Sequence, residues 1–563
     1  MSATAAHPRP APIGNSREDL TIPAAVRMKE AAIPPPGAPP GRVPAPVPEP
    51  SAADEAAVRA GLPDGRAATV RSPFLPNVPL TADPIWHLAR RVAPGPTTAV
   101  VAEIRAAGRA AWLNKQLAPA TIDDSACAAI IAKLPAATMT ASQAVLNYYS
   151  YNTGWKIAPT VIRASLLRRM FSKRYLLESM VEFWHDQVHV MAEADAPAYW
   201  IGDYDTFVIR KHALGKFANL LYAATTHGAM LDYLDNSSST KDDPNENLGR
   251  EFLELHTLGV GNFTEDDVKA MTLLLTGWYG DWGSMTGRFE AANHHVGPIT
   301  VAGFTHANSS ASAGPAALAY IAGRIARHRK TATRICTRLA TRFVSDTPPQ
   351  ALIDRMVTSY LAGDTAIVPV LRVLFNSTEF KAATGRKWRR PSESVVTSLR
   401  AARPVTRAID QAAVKDNPYN LMGTECWLLD SAGHAPLNWP GPDGYPDVST
   451  RWMHTNGMLM AWNMAEAHAG RWEESISWQP WTQALAVSAT MTPGAVAARL
   501  YLALTGFAGD AGAKNQLTRF LWSGDPNGDL PPTTSTPIGA DRLSWYLDEA
   551  VRIVMASPYF QIR

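Results

Sequence analysis

Apolar residues recur at helical spacing along most of the chain, beginning near Pro84. Val268, Met271, Leu274 and Leu275 form one such stripe, whereas the alternation of apolar and polar residues that is typical of strands is scarce. This pattern predicts a mainly α protein with a large, bundle-like architecture of many helices joined by long irregular loops.

Two helix starts are predicted from capping residues. Asp243 suits the N-cap, with Pro244 at the first helical position and Glu246 at the third. Thr264 is predicted to cap the next helix, because Asp267 follows it at the spacing of a capping box. The two helices should therefore form a tight hairpin.

Two basic segments have the spacing and length of solvent-exposed patches. One helix is predicted from about Val161 towards His189, and its early turns carry Arg163, Arg168, Arg169, Lys173 and Arg174. A second, short run consists of Arg386, Lys387, Arg389 and Arg390 around Trp388. We expect both sets of charges to be solvated, since charged side chains are rarely buried without a partner.

Changes in composition divide the chain into three parts. Residues 1–80 are rich in Pro and Ala and are predicted to form a disordered arm that folding does not require. Residues 81–402 should form a helical core domain, and residues 403–563 a C-terminal helical lobe. That lobe contains a turn-rich loop with Trp439, Tyr445 and Trp452 nearby, which is either an aromatic platform for sugar or peptide ligands or, as the stronger expectation, a packed lid.

Composition excludes several classes of protein. The 563 residues contain 53 Lys+Arg against 50 Asp+Glu, and this formal charge of +3 gives no reason to expect a nucleic-acid partner. No apolar run approaches the roughly 18 residues of a membrane span, and the first residues lack an export signal. Three isolated cysteines favour a reducing compartment, so a cytoplasmic location is expected.

A stripe of carboxylates and imidazoles is the strongest candidate for chemistry. Glu182 and His185 have the Glu-x-x-His spacing that ligands adopt in helical dimetal proteins. The stripe also contains Glu178 and His189, and the predicted facing ligands are Glu251 and Glu254. If Glu182, His185, Glu251 and Glu254 converge, they would suit a transition metal such as iron, manganese or zinc, with His189 as an additional ligand or proton-transfer group.

The same residues also fit a structural network. In this alternative Arg250 pairs with Glu254, Glu251 is buried against a basic residue such as Arg168, and His185 is a core histidine with its hydrogen bonds satisfied. Only one Glu-x-x-His is present, whereas dimetal bundles carry two. Motifs for hydrolase elbows, phosphate loops and haem attachment are absent from the sequence.

The segment 245–260, Asn-Glu-Asn-Leu-Gly-Arg-Glu-Phe-Leu-Glu-Leu-His-Thr-Leu-Gly-Val, resembles the signature of a large bacterial family catalogued as domain of unknown function 1800. Residues 180–185, 214–217, 230–236, 375–380 and 387–400 are also similar to it. The chain departs from the family pattern at residues 186–188, Asp-Gln-Val, and at residues 294–299, which lack the usual acid and lysine.

The resemblance implies proteins that are often exported and often encoded beside a sulfatase-like companion, with no established activity. Two functions therefore remain open. One is a metal-dependent enzyme with a carboxylate and histidine site between helices, and the other is a non-catalytic scaffold that acts with the sulfatase-like companion.

Overall fold

The computed structural model describes residues 68–148, 154–194, 197–405 and 418–563, and helices dominate all four ranges. The prediction of a mainly α protein is confirmed. The described strands form four two-stranded antiparallel sheets: β1 (Ala68–Ser72) with β2 (Leu75–Ala82), β3 (Trp278–Asp281) with β4 (Thr286–Phe289), β5 (Ile299–Val301) with β6 (Phe304–His306), and β7 (Pro404–Val405) with β8 (Ser477–Trp478). Within these ranges no helix combines the length and the apolar character needed to cross a membrane.

The hairpin of β1 and β2 precedes the predicted start of the fold near Pro84. Leu80 on β2 is 1% exposed and packs in the core of the C-terminal lobe, while the Ser72 hydroxyl donates to Gly385 O at 2.7 Å. The expectation that the arm extends to residue 80 is therefore wrong for the hairpin. The rest of the predicted arm, residues 1–67, lies outside the described residues.

Most of the helices before residue 384 contribute to one large hydrophobic core. They are α1 (Pro84–Val92), α2 (Thr98–Ala107), α3 (Arg109–Gln116), α4 (Ser125–Ile131), α5 (Ala141–Tyr148), α6 (Ile157–Phe171), α7 (Tyr175–Gln187), α8 (Ile201–Asp203), α9 (Phe217–Thr225), α10 (Gly228–Tyr233), α11 (Asn247–Glu251), α12 (Glu265–Leu275), α13 (Gly314–Ala326), α14 (Arg329–Phe343), α15 (Gln350–Ala362), α16 (Ile367–Asn376) and α17 (Thr378–Lys381). Two π-helical turns, Tyr204–Arg210 and Phe252–His256, extend α8 and α11.

The later helices build a second core and share a third with the first lobe. They are α18 (Pro391–Ala401), α19 (Gly423–Ser431), α20 (Thr455–Ala469), α21 (Trp481–Ala484), α22 (Pro493–Thr505), α23 (Ala511–Ser523), α24 (Ala540–Ala556) and α25 (Pro558–Gln561). Leu166 and Leu167 of α6 pack in one cluster with Val395 of α18 and Met464 of α20. Apolar packing therefore continues across the predicted domain boundary near residue 402.

The helix predicted from Val161 towards His189 is broken between α6 and α7. Asp124 stabilises the break, because its carboxylate accepts from the Ser172 hydroxyl at 2.8 Å and from the Lys173 amide at 2.7 Å. The prediction of one continuous helix is wrong. At its other end α7 stops at Gln187, so His189 lies beyond the helix rather than on its stripe.

Six of the nine residues in the two basic segments are buried, which contradicts the prediction of solvated patches, whereas Lys173 and Arg386 are exposed as predicted. Arg163, Arg168 and Arg169 on α6 are 3%, 8% and 4% exposed. Around Trp388, the exposed fractions are only 2% for each of Lys387, Arg389 and Arg390. The spacing of these residues gave no sign of the distant carboxylates and carbonyl groups that bind them.

Of the two predicted helix caps, one is confirmed. Thr264 Oγ1 accepts from the Asp267 amide at 3.2 Å, and the Asp267 carboxylate accepts from the Thr264 amide at 2.8 Å, which is a complete capping box. Asp243 is not a cap, because α11 begins at Asn247 and Asn245 Oδ1 accepts from the Asn247 amide at 2.9 Å.

This difference predicts unequal effects of two alanine substitutions. Thr264→Ala should lower the free energy of unfolding by about 0.5–2 kcal/mol, because it removes an N-cap acceptor. Asp243→Ala should change it by less than about 0.5 kcal/mol, as is usual for an exposed side chain. Urea denaturation of the two variants and the parent measures both values, and equal midpoints for all three would contradict the assignment.

Candidate functional site

Glu182 on α7 is bound by three arginines that come from different parts of the chain. Arg169 Nη1 lies 3.0 Å from Oε1, Arg390 Nη2 lies 3.0 Å from Oε2, and Arg342 also contacts Oε2. Burial alone would raise the pKa of Glu182, but the three guanidinium groups hold this pKa well below its usual range. The carboxylate is therefore ionised, and the protein's own cations neutralise it.

Glu182 belongs to a larger group of buried charges that we call the central ionic network. Asp186 lies 2.8 Å from Arg390, and Asp447 lies 2.9 Å from Arg342. The network contains five acids, Glu182, Asp186, Asp346, Glu393 and Asp447, and five cations, Arg169, Arg342, Lys387, Arg390 and Arg563. Because three arginines already contact the Glu182 carboxylate, a metal ion bound there would have to displace at least one of them.

Glu393 shows how strongly the network favours the ionised form of a buried acid. Its Oε1 lies 2.6 Å from Arg563 Nη1 and 3.1 Å from Arg342 Nη1. Burial opposes ionisation, but Arg563, Arg342 and Arg390 together lower the pKa of Glu393 to about 2. Asp186 differs, since burial outweighs its contact with Arg390 and raises its pKa to about 6.

His185 belongs to a second buried group of charges, centred on Asp205. His185 Nε2 lies 2.9 Å from Asp205 Oδ1, while Arg168 and Arg210 lie 2.9 and 2.7 Å from Oδ2. Asp205 is in the π-helical turn Tyr204–Arg210, and it is only 1% exposed. His185 is thus paired with a carboxylate that two arginines already bind, as the structural alternative requires.

Arg210 connects this second group back to α7. Its guanidinium contacts both carboxylate oxygens of Glu178, at 2.9 and 3.1 Å from Nη1. Glu178 is buried and lies one turn before Glu182 on the same helix. Glu178, Glu182 and His185 therefore form a stripe on α7 as predicted, but the two acids of this stripe bind arginines.

Glu251 and Glu254 lie in a different environment, at the junction of α11 and the π-helical turn Phe252–His256. Both are half-buried, and neither side chain makes an ion pair or hydrogen bond with any described residue. Burial and the neighbouring Glu254 raise the pKa of Glu251. These two carboxylates are consequently less neutralised than those on α7.

The arginine partners predicted for Glu251 and Glu254 are bound elsewhere. Arg250 contacts Glu265 at 2.7 Å and Glu246 at 3.3 Å, so the predicted pair with Glu254 is wrong. The suggested burial of Glu251 against Arg168 is also wrong, because Arg168 binds Asp205.

His189 connects the end of α7 to the turn-rich loop. Its Nδ1 lies 3.1 Å from His185 O and its Nε2 lies 2.8 Å from Trp439 O. Burial lowers the pKa of His189 to about 4, while the contacts with the Trp439 and His185 carbonyls act to raise it. In the same loop Tyr445 is only 4% exposed and packs beside Trp452, which agrees with a packed lid.

The predicted metal ligands therefore lie in three surroundings. Glu182 is in the central ionic network, His185 is in the Asp205 group, and Glu251 and Glu254 form a separate pair. Over the four described ranges, no set of three or more His, Cys, Asp or Glu side chains is placed to bind one metal ion. Nor do contacts of the described residues join Glu251 or Glu254 to the two residues on α7.

A buried Ser, His and Glu group escaped the sequence analysis. His468 on α20 lies 2.6 Å from Glu425 on α19 through Nε2, and its Nδ1 contacts the Ser398 hydroxyl on α18. This hydroxyl also lies 2.9 Å from Val395 O, and none of the three side chains is more than 4% exposed. The group has the residue types of a nucleophilic triad, but its closed position makes it a link between three helices.

Arg342 was also missed, although the sequence contains a signal for its burial. It lies seven residues after Ile335 and three residues after Leu339, so it is on the apolar stripe of α14. Asp447 has no comparable signal, because it lies in an irregular loop.

The network predicts a pH-dependent effect of Glu393→Gln. Removing the charge leaves Arg563 and Arg342 without this carboxylate. Breaking a buried pair should lower the free energy of unfolding at pH 7 by about 3–5 kcal/mol. The pKa of Glu393 is depressed, so its stabilisation is complete above its ordinary value of 4.5 and is lost as the pH falls towards 2. The difference between parent and variant should shrink over this window.

Glu265→Gln provides the control for denaturation curves measured from pH 7 to pH 3. It removes an exposed pair with Arg250, which should be worth no more than about 1 kcal/mol. A Glu393→Gln effect as small as the control, or one that does not change with pH, would contradict the electrostatic role.

Comparison with known proteins identifies a family. The model of the family described as "Protein of unknown function (DUF1800)" matches residues 87–562. No curated protein and no solved structure matches the chain. Because the match covers most of the sequence, the chain belongs to the DUF1800 family of proteins of unknown function.

Proposed function

We propose that the protein is a non-catalytic scaffold that binds a protein partner, with the sulfatase-like companion implied by the family as that partner. The observation that carries this proposal is the set of three arginines on Glu182. A carboxylate in this state is poorly suited to bind a metal or accept a proton, since either step leaves buried guanidinium charge uncompensated. The polar residues of α7 then serve to fix helix positions.

The outer surface of α19 and α20 supplies a candidate partner-binding face, defined by Trp427, Leu459 and Trp462. These side chains are 42%, 50% and 51% exposed. Neighbouring residues of the two helices, Leu428 and Met460, are buried together in one apolar cluster. Exposed aromatic residues of this kind are enriched at protein interfaces, where Trp is the most common energetic hot spot.

A metal-dependent enzyme is the second candidate, and Glu251 and Glu254 favour it. They are adjacent and half-buried, and they form no ion pair within the described ranges. A bound cation would favour the ionised form of Glu251 and would offset its raised pKa. Iron, manganese or zinc would accept these oxygen ligands, and Glu182 and His185 could join them only after their present partners had moved.

Metal analysis separates the two candidates. The scaffold proposal expects less than about 0.1 equivalents of iron, manganese or zinc per chain and a melting temperature that chelation does not change. Stoichiometric metal that is lost in Glu251→Gln, but kept in the exposed control Glu265→Gln, would favour the enzyme. Elemental analysis by mass spectrometry and thermal denaturation provide the two measurements.

Binding of the sulfatase-like companion tests the scaffold directly. The double variant Trp427→Ser and Trp462→Ser should weaken binding at least tenfold, because hot-spot residues typically contribute about 2 kcal/mol or more. Val260→Ser is the matched control, since Val260 is 73% exposed and lies far along the chain from α19 and α20. If the companion does not bind the parent, or if it binds the double variant equally well, the proposed partner or face is wrong.

A further inference from the structure

An open cavity of about 480 Å³ is lined by residues that precede α11 and by the loop that joins β4 to β5. The residues before α11 are Lys241 and Asp242. The loop contributes His294 and His295, and most of the remaining wall consists of alanine residues. The volume falls within the range of about 300–1,000 Å³ that is typical of pockets for small molecules.

His294 is buried in the wall of this cavity, and both of its ring nitrogens face oxygen acceptors. It is only 1% exposed. Its Nδ1 lies 2.8 Å from Thr276 O, and its Nε2 lies 3.1 Å from Asn308 Oδ1. A neutral imidazole has one N–H and would turn the lone pair of its other nitrogen towards an oxygen, whereas the doubly protonated ring donates to both acceptors.

Neighbouring hydrogen bonds fix these acceptors in place. Asn308 Nδ2 donates to His295 O at 2.8 Å, so the amide oxygen of Asn308 faces His294. The Thr276 hydroxyl donates to Leu273 O at 2.6 Å and accepts from the His295 amide at 2.9 Å. Its proton is therefore not available to Nδ1 of His294, and the contacts together favour the imidazolium form of this ring.

No carboxylate in the described ranges forms an ion pair with His294. Acids do pair with His185, His227 and His468. Because buried charges in proteins are normally paired, an imidazolium at this position calls for a counter-ion. The cavity that His294 lines offers space for one.

The other polar side chains of the cavity can contact a ligand directly. Within the described part of the chain, the side chains of Lys241, Asp242 and His295 make no hydrogen bond or ion pair. The ammonium group of Lys241 and the ring of His295 provide N–H donors for an anionic group. The carboxylate of Asp242 repels a second negative charge but accepts hydrogen bonds from hydroxyl groups.

We infer that this cavity binds a small hydroxylated organic anion, with its carboxylate or phosphate group near His294 and Lys241 and its hydroxyl groups donating to Asp242. The imidazolium attracts the anionic group through its charge, since the protein already uses both of its N–H groups. Lys241 and His295 supply the direct hydrogen bonds. The residues that line the cavity are separate from Trp427, Leu459 and Trp462, so this inference does not depend on the proposed function.

Isothermal titration calorimetry of the full chain tests the inference with three related probes. D-glucuronate carries a carboxylate, glucose 6-phosphate carries a phosphate, and glucose carries neither. We expect one of the two anions to bind with a Kd below about 1 mM and at least about tenfold more tightly than glucose. The tighter anion identifies the preferred group. If both anions bind with a Kd above about 1 mM, or if glucose binds equally well, the inference is wrong.

A lysine variant connects binding to the cavity. Lys241→Gln should weaken binding of the tighter anion at least about tenfold, because it removes a charged donor. Lys381→Gln is the matched control, since Lys381 is also exposed but does not line the cavity. The control should bind as the parent does. Equal affinity of the parent and Lys241→Gln would contradict the assignment.

A second variant tests the buried charge. His294→Gln removes the imidazolium, and it should also weaken binding at least about tenfold although the ring makes no direct contact with the anion. Thermal denaturation shows whether this variant folds. Parent-like affinity in folded His294→Gln would overturn the role of the charge. If the variant does not fold, Lys241→Gln decides the outcome.

Discussion

Arginine side chains bind the carbonyl oxygens at the C-terminal ends of helices, and the arrangement of the helices depends on these contacts. Arg563 donates to the last turn of α1, Arg90 to the end of α22, and Arg400 to Arg169 O and Met170 O near the end of α6. The final carbonyls of a helix have no partner within it and carry the negative end of its dipole. One guanidinium group therefore donates a hydrogen bond to an unpaired carbonyl and also places a positive charge at the negative end of the helix dipole.

The same chemistry explains how so many charges enter the interior. A buried ion pair seldom adds net stability over apolar packing, because both ions lose their hydration. Its value is geometric, since Arg342 contacts Glu182 and Asp447 at the same time and accepts little displacement of either. Side chains of α7, α14 and the irregular loop are thereby held in one relative position. On this argument, the residues that most resemble a catalytic site are those that determine the packing.

How much could be predicted from the sequence depended on the range of the interactions involved. The helical content and the Thr264 capping box follow from residues within one or two turns of each other. The break after α6 depends on Asp124, which is distant in sequence. The apolar spacing typical of a helix continues across the break, so the sequence does not indicate it. The candidate site failed to converge for the same reason. Glu182 and His185 do share a helix face. Their partners, Arg390 and Asp205, lie in other parts of the chain, and these contacts determine what the face binds.

The contact of Arg563 with α1 joins residues 473 positions apart. During synthesis, α1 leaves the ribosome long before the side chain of Arg563 exists, so the carbonyls of Arg90 and Arg91 lack these donors until residue 563 has been made. These contacts of α1 therefore form late, after the residues that build the large hydrophobic core, most of which precede residue 384, have been made. Such late, long-range closure slows folding and prolongs the exposure of apolar surface.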